Sequence, residues 1–120
     1  MVYVVATIEL APGQRDAFLA LQKDLLPLVR AEAGCIEYVS TVDVAFDPKR
    51  PPRPDVVVVQ EKWESLPHLK AHSVTPHMAK PIKTQEPKIA RLIVCSVCLF
   101  GLCRPILFRS VERPLPHFRQ

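Results

Sequence analysis

Apolar and polar residues alternate along the first third of the chain in a way that predicts one strand followed by one helix. Val2–Leu10 is mostly apolar, and toward its end Thr7 and Glu9 alternate with apolar neighbours, as in a half-buried strand. From Gln14 onward, apolar residues recur at steps of three and four. This spacing predicts an amphipathic helix that stops at the glycine Gly34.

The middle of the chain predicts two more strands, separated by a loop and followed by a second helix. Residues 35–44 alternate between two faces, and residues 56–63 begin with a β-branched run before alternation resumes. Residues 46–55 hold four prolines, which no continuous strand accommodates. Ser65 is a favourable N-cap for the second helix, and the Thr-Pro-His at 75–77 predicts a further helical turn.

This order of elements is typical of an α+β fold whose helices cover one face of a largely antiparallel sheet. We therefore predict a ferredoxin-like sandwich. A chain of 120 residues buries only roughly two thirds of its unfolded surface, so a pocket for an aromatic ligand would strain its core. For that reason we expect the protein to be a homodimer.

Composition indicates a globular protein, with 48% apolar residues and only three glycines. The first residues lack the basic start and apolar stretch of an export signal, so we expect a cytoplasmic location. In that compartment the four cysteines are interpreted as thiols and not as a disulfide framework.

The positive charge is confined to the C-terminal third. Residues 1–80 carry nine Lys or Arg against ten Asp or Glu, whereas residues 81–120 carry seven against two. The predicted folded body therefore has no basic stripe for phosphates, and we predict no nucleic-acid partner.

The C-terminal third has three interpretations. Residues 89–99 suit a last strand, and we place a domain at residues 1–100 with a basic, Pro-rich tail at 101–120. The apolar run at residues 92–103 is twelve residues long, short of the roughly 20 that span a bilayer, so a buried strand is preferred over a membrane helix. A shifted reading frame or an unspliced intron would also explain the abrupt change in composition. We expect residues 104–120 to pack little against the body, because three prolines interrupt pairing.

A strand ending in Glu-x-Trp, followed by S-x-x-x-L-x-x-H-x-x-T-P-H, resembles the antibiotic biosynthesis monooxygenase family. The matching residues are Glu61, Trp63, Ser65, Leu69, His72, Thr75, Pro76 and His77. Together with the opening strand, helix and Gly-Cys turn, the resemblance covers roughly residues 1–80. It implies that two ferredoxin-like subunits form a dimeric α+β barrel, each with a cavity between its own sheet and helices.

The resemblance implies a cofactor-independent monooxygenase that uses dioxygen on a quinol or a polyketide-type aromatic. The alternative is a non-catalytic small-molecule-binding or stress-associated dimer on the same fold, because a fold does not determine function. Haem degraders that resemble this chain use an asparagine on the first strand. Val2–Leu10 contains none, so haem degradation is disfavoured.

Five residues are the candidate site. His72 is predicted to be the general base, because an imidazole titrates near neutral pH, and His77 is predicted to be a hydrogen-bond donor. Trp63 is either a stacking wall for a flat ligand or a core tryptophan, and both interpretations stay open. Tyr38 and Glu61 are predicted to line the pocket, with Tyr38 as an alternative donor.

No metal or cofactor is predicted. His68 and His72 are four residues apart and would supply half of a zinc site, but no second half accompanies them. Cys95 and Cys98 have metal or redox spacing, yet they lie in an apolar, strand-like run and are interpreted as buried thiols; the role of Cys103 stays open. The chain has no Gly-rich nucleotide motif.

Overall fold

The computed structural model describes residues 1–78 and 89–98, and these contain four strands and two helices. In chain order they are β1 (Val2–Leu10), α1 (Arg15–Arg30), β2 (Cys35–Thr41), β3 (Val56–Trp63), α2 (Leu66–Ser73) and β4 (Ile89–Cys98). The predicted tail at 101–120 lies outside the described residues.

The strands form one sheet in the order β2-β3-β1-β4, and every neighbouring pair is antiparallel. α1 connects β1 to β2, and β3 lies between these two strands in the sheet, so the unit is a split β-α-β. β1 in turn lies between β3 and β4, and its Val4 pairs with Glu61 of β3 on one side and with Ser96 of β4 on the other. This topology confirms the predicted α+β, ferredoxin-like fold.

The core lies on one face of the sheet because alternate strand residues point toward the helices. Burial along β1 follows the period-two pattern that the sequence predicts. The buried residues of one cluster are Val2, Val4, Ala6, Ile8, Leu10, Phe18, Leu25, Val29, Tyr38, Val57, Val59 and Trp63. Burial of each large apolar side chain contributes about 1.5–3 kcal/mol.

The opposite sheet face has partly exposed side chains. Val5, at the middle of β1, is 42% exposed, and Lys62 lies over the ring of Tyr3 at 5.4 Å from its centroid. Both helices bury side chains in the core on the other face, so none of the described elements covers this one.

β2 ends at Thr41, before the predicted limit of residue 44, and a loop then runs to β3. Arg53 donates to both carboxylate oxygens of Asp43, at 2.7 and 3.0 Å. These hydrogen bonds lower the pKa of Asp43 to about 2. At the far end of the loop, Gly13 N–H donates to the Asp55 carboxylate at 3.0 Å. The first pair thus closes the loop on itself, and the second contact ties its end to the turn between β1 and α1.

α2 begins after Ser65, as predicted, but the serine hydroxyl does not cap a backbone N–H. Its Oγ lies 2.8 Å from Nδ1 of His68. His68 in turn packs on Gly34, whose φ is +78° and whose carbonyl accepts from Glu64 N–H at 2.9 Å. Among residues 1–78 and 89–98, no helix is both long and apolar enough to cross a membrane.

Candidate active site

His72 is at the centre of the candidate site. It lies on α2 with 3% of its surface exposed, and its Nδ1 is 3.0 Å from both oxygens of Glu32. A carboxylate accepts hydrogen bonds, so the proton of the neutral ring lies on Nδ1 and the lone pair on Nε2. This Nε2 is buried and has no hydrogen-bond partner among the described residues. The ring therefore presents a basic nitrogen on the side away from Glu32.

Glu32 also contacts His77. The Nε2 of His77 lies 2.5 Å from Glu32 Oε1, and the side chains of both residues are largely buried. The turn between the two histidines is held by Thr75, whose hydroxyl donates to the His72 carbonyl at 2.9 Å. One carboxylate from the turn after α1 thus links α2 to the helical turn at 76–78.

Two aromatic rings enclose the imidazole of His72. The Trp63 centroid is 4.7 Å away with the planes tilted by 34°, and the Tyr38 centroid is 5.8 Å away in an edge-to-face arrangement. Trp63 is 0% exposed, and its indole N–H donates to Glu61 at 2.8 Å. Trp63 is therefore a core residue whose ring packs against His72, and its role as a stacking wall for a ligand stays a prediction.

Burial raises the pKa of two polar groups beside this cluster. Burial raises the pKa of Glu61, against the lowering effects of the Trp63 N–H and of His72. Burial also raises the pKa of Tyr38, and the negative charges of Glu61 and Glu32 add to that rise. Tyr38 therefore keeps its phenolic proton at neutral pH and can donate a hydrogen bond.

The structure brings all five sequence-predicted residues into this cluster. It adds Glu32, which sequence reasoning missed because a single carboxylate in a turn belongs to no periodic pattern. It also separates His68 from His72: His68 contacts Gly34 and Ser65 instead. The available signal for Glu32 was its position two residues before Gly34, where the Gly-Cys turn begins.

A solvent-open depression of about 810 Å³ lies elsewhere, in the loop between β2 and β3. Its lining includes the paired Arg53 and Asp43 together with prolines, and no residue of the histidine cluster. Its charged groups are already paired with each other, which leaves no convergent polar groups for a ligand. Buried titratable groups converge instead at the histidines, which is the arrangement typical of functional sites.

The sequence over residues 1–83 matches the family described as antibiotic biosynthesis monooxygenase. The chain belongs to this family, as the sequence resemblance predicted.

Known relatives agree with this assignment. The "Probable quinol monooxygenase YgiN" of Escherichia coli (strain K12) is 42% identical over 81 residues, which cover 65% of this chain and 78% of the relative. Among solved structures, PA3566 of Pseudomonas aeruginosa superposes with a TM-score of 0.68 at 24% identity, covering 80% of this chain and 90% of that one. Rv0793 of Mycobacterium tuberculosis gives 0.64 at 23% identity, covering 86% and 98%. These two similarities support the fold.

Proposed function

We propose that this protein is a cofactor-independent monooxygenase that oxidises a quinol or a polyketide-type aromatic with dioxygen. Family membership and the name of the YgiN relative support the reaction class. The observation that carries the assignment of roles is the imidazole of His72, whose Nδ1 is held by Glu32 while its Nε2 is free.

In the proposed reaction, Nε2 of His72 takes the proton of a substrate hydroxyl or activated methylene. The resulting imidazolium lies beside the Glu32 carboxylate, which compensates its charge in a buried environment. The deprotonated aromatic is electron-rich and donates electrons to dioxygen directly. One oxygen atom enters the substrate and the other leaves as water, with all four electrons supplied by the substrate.

The neighbouring side chains have distinct roles in this proposal. Trp63 offers the flat wall against which an aromatic substrate stacks. Tyr38, which stays protonated, donates to the oxyanion that develops on the substrate. His77 shares Glu32 with His72 and orients the carboxylate. Since His72 is 3% exposed, this proposal requires neighbouring side chains to move before a substrate reaches Nε2.

We further propose that the working unit is a homodimer in the form of a dimeric α+β barrel. The sheet face that carries Tyr3 and Val5 is not covered by the described elements, and Val5 at its middle is 42% exposed. An apolar residue at the middle of an open sheet face is more stable against a second sheet than in water.

The proposal is tested by oxygen consumption with a panel of quinols and anthrones. We expect wild-type protein to consume oxygen catalytically with at least one of them and to form one oxygenated product per dioxygen. His68→Gln is the matched control, since it changes a histidine of the same helix that lies outside the cluster, and it should retain turnover. Saturable binding of an aromatic without any oxygen consumption would favour the alternative, a non-catalytic small-molecule-binding or stress-associated dimer.

A further inference from the structure

Glu32, His72 and His77 come together from two parts of the chain, the turn after α1 and residues 72–77. One oxygen of Glu32 and one ring nitrogen of each histidine all lie within 4.8 Å of one another. The side chains of Glu32 and His77 are 13% and 20% exposed, so the group is sheltered but reachable from solvent. A carboxylate with two neutral imidazoles carries one net negative charge, which favours a cation.

These three groups are the ligands that zinc and other divalent first-row metal ions accept. Zinc binds imidazole nitrogen and carboxylate oxygen at about 2.0–2.2 Å in a tetrahedron, so its ligand atoms are about 3.4 Å apart. Here the carboxylate lies 2.5 to 3.0 Å from each histidine nitrogen, and no ligand pair exceeds 4.8 Å. Small side-chain rotations would bring all three to bonding distance, and three protein ligands would leave the fourth position of the tetrahedron to water.

We propose that Glu32, His72 and His77 form a binding site for a divalent transition-metal ion such as zinc, and that a bound ion switches off the basic nitrogen of His72. A metal on Nδ1 replaces the proton that this nitrogen donates to Glu32. The neutral ring then carries its one proton on Nε2, where the lone pair had been. The same ring therefore cannot bind the ion and accept a substrate proton. This inhibitory half rests on the proposed function, whereas the binding half does not.

Cysteines are the competing ligands that an experiment must separate from this site. Cys35 lies close enough that the charge of Glu32 helps to raise its thiol pKa, although burial is the larger cause. Cobalt(II) distinguishes the two kinds of ligand, because thiolate ligation adds an intense near-ultraviolet charge-transfer band. Nitrogen and oxygen ligands give only weak visible d–d bands.

The binding half is tested by titrating the full, chelator-treated and reduced chain with cobalt(II), then displacing it with zinc. We expect one equivalent to bind with d–d bands alone. His77→Gln should weaken zinc binding by at least about tenfold, since even loss of an outer-shell partner costs on the order of 10–100-fold. His77 is the variant of choice because it is more exposed than the buried His72, and glutamine still reaches Glu32. His68→Gln is the control and should bind like the wild type.

Three outcomes would overturn the proposal. The metal site is excluded if no cobalt binds, if His77→Gln binds as tightly as the wild type, or if a thiolate band accounts for the bound ion. For the inhibitory half, one equivalent of zinc should abolish oxygen consumption and a chelator should restore it. Full turnover by the zinc-loaded protein would refute the coupling. A protein that binds cobalt as expected but oxidises no substrate would contradict the proposed function and leave the metal site supported.

Discussion

The Glu32 carboxylate determines which nitrogen of His72 is basic. Both of its oxygens lie 3.0 Å from Nδ1, so the ring keeps its proton on that side and its lone pair on the other. The same carboxylate holds His77, so a single residue from the turn after α1 sets the state of two histidines. Replacing one carboxylate oxygen of Glu32 by the amide nitrogen of glutamine should therefore disturb both histidines.

His72→Gln should remove the general base, and we expect turnover to fall by about 10² to 10⁴. Glu32→Gln should lower kcat by a smaller factor with KM nearly unchanged, because the base remains but its orientation and charge compensation are lost. Turnover and thermal melting are measured on the same preparations, with His68→Gln as the control. Unchanged turnover per folded molecule for His72→Gln would show that His72 is not the general base.

Trp63 and Glu61 depend on each other, because the indole N–H satisfies a buried carboxylate. Trp63→Phe removes the indole N–H and therefore leaves a buried carboxylate without its donor. A stability loss of about 1–3 kcal/mol is therefore expected in addition to weaker substrate binding, as measured by urea unfolding and by ligand titration.

Glu61→Gln should make the folded protein less sensitive to pH. The folded-state pKa of Glu61 lies above its usual 4.5, so its contribution to stability is fully present below pH 4.5 and is lost as pH rises through the folded value. Glutamine keeps a carbonyl acceptor for Trp63 and does not titrate. The variant should therefore gain stability relative to the wild type on going from about pH 4 to about pH 8.

Urea midpoints across this range test the expectation. Glu37→Gln is the matched control, because it removes an exposed carboxylate from the neighbouring strand β2. A stability difference between wild type and Glu61→Gln that stays constant with pH would contradict the assignment of Glu61 as the buried titrating group.

At the scale of elements, the junction between α1 and β2 depends on close approach of α2. Gly34 and Gly13 both have φ of +78°, but a Cβ at Gly34 would lie 2.2 Å from Cγ of His68, whereas a Cβ at Gly13 would meet nothing within 4 Å. At Gly34, glycine is required both by the positive φ and by the lack of space for a Cβ beside His68. At Gly13 it is required by the positive φ alone.

Gly13→Ala should cost about 1–2 kcal/mol through the left-handed conformation. Gly34→Ala should cost more, because the new methyl group displaces His68 and breaks its hydrogen bond with Ser65. Adding His68→Ala to Gly34→Ala should recover the additional loss of stability. A double-mutant cycle of urea unfolding measures this recovery. Equal losses for the two glycine variants would show that His68 moves aside freely.

Sequence periodicity predicts an element well where one pattern decides its structure. The alternation along β1 corresponds to observed burial. α1 is a helix as predicted, but its buried face consists of Phe18, Gln22, Leu25 and Val29, so the polar Gln22 is buried whereas the apolar Leu28 is 53% exposed. Alternation alone extended β2 to residue 44, but pairing with β3 stops at Thr41, opposite Val58. The four-residue spacing of His68 and His72 grouped these two histidines in the sequence analysis. In the structure the chain turns after Ser73, and this turn brings His77 to Glu32. Contacts across a turn carry no periodic signal, so tertiary structure was needed to find them.

At the scale of the whole molecule, the open face of the sheet is the surface that we propose for assembly. One face holds the core cluster, and on the other Val5 is exposed at the middle of the central strand β1, beside the Tyr3 and Lys62 pair. A four-stranded sheet with helices on one side leaves the other side to solvent or to a partner. A second copy presents an identical face, so a two-fold interface is self-complementary.

We therefore expect sedimentation at micromolar concentration to give twice the chain mass. Val5→Lys would place a charge at the middle of this interface, where burial is costly, and should shift the protein toward monomer. Leu28→Lys is the matched control: Leu28 is 53% exposed on α1, on the helix side of the sheet, and its substitution should leave the mass unchanged. The barrel arrangement is refuted if the wild type sediments as a folded monomer, or if Val5→Lys stays dimeric while Leu28→Lys dissociates, since the helix side would then form the contact.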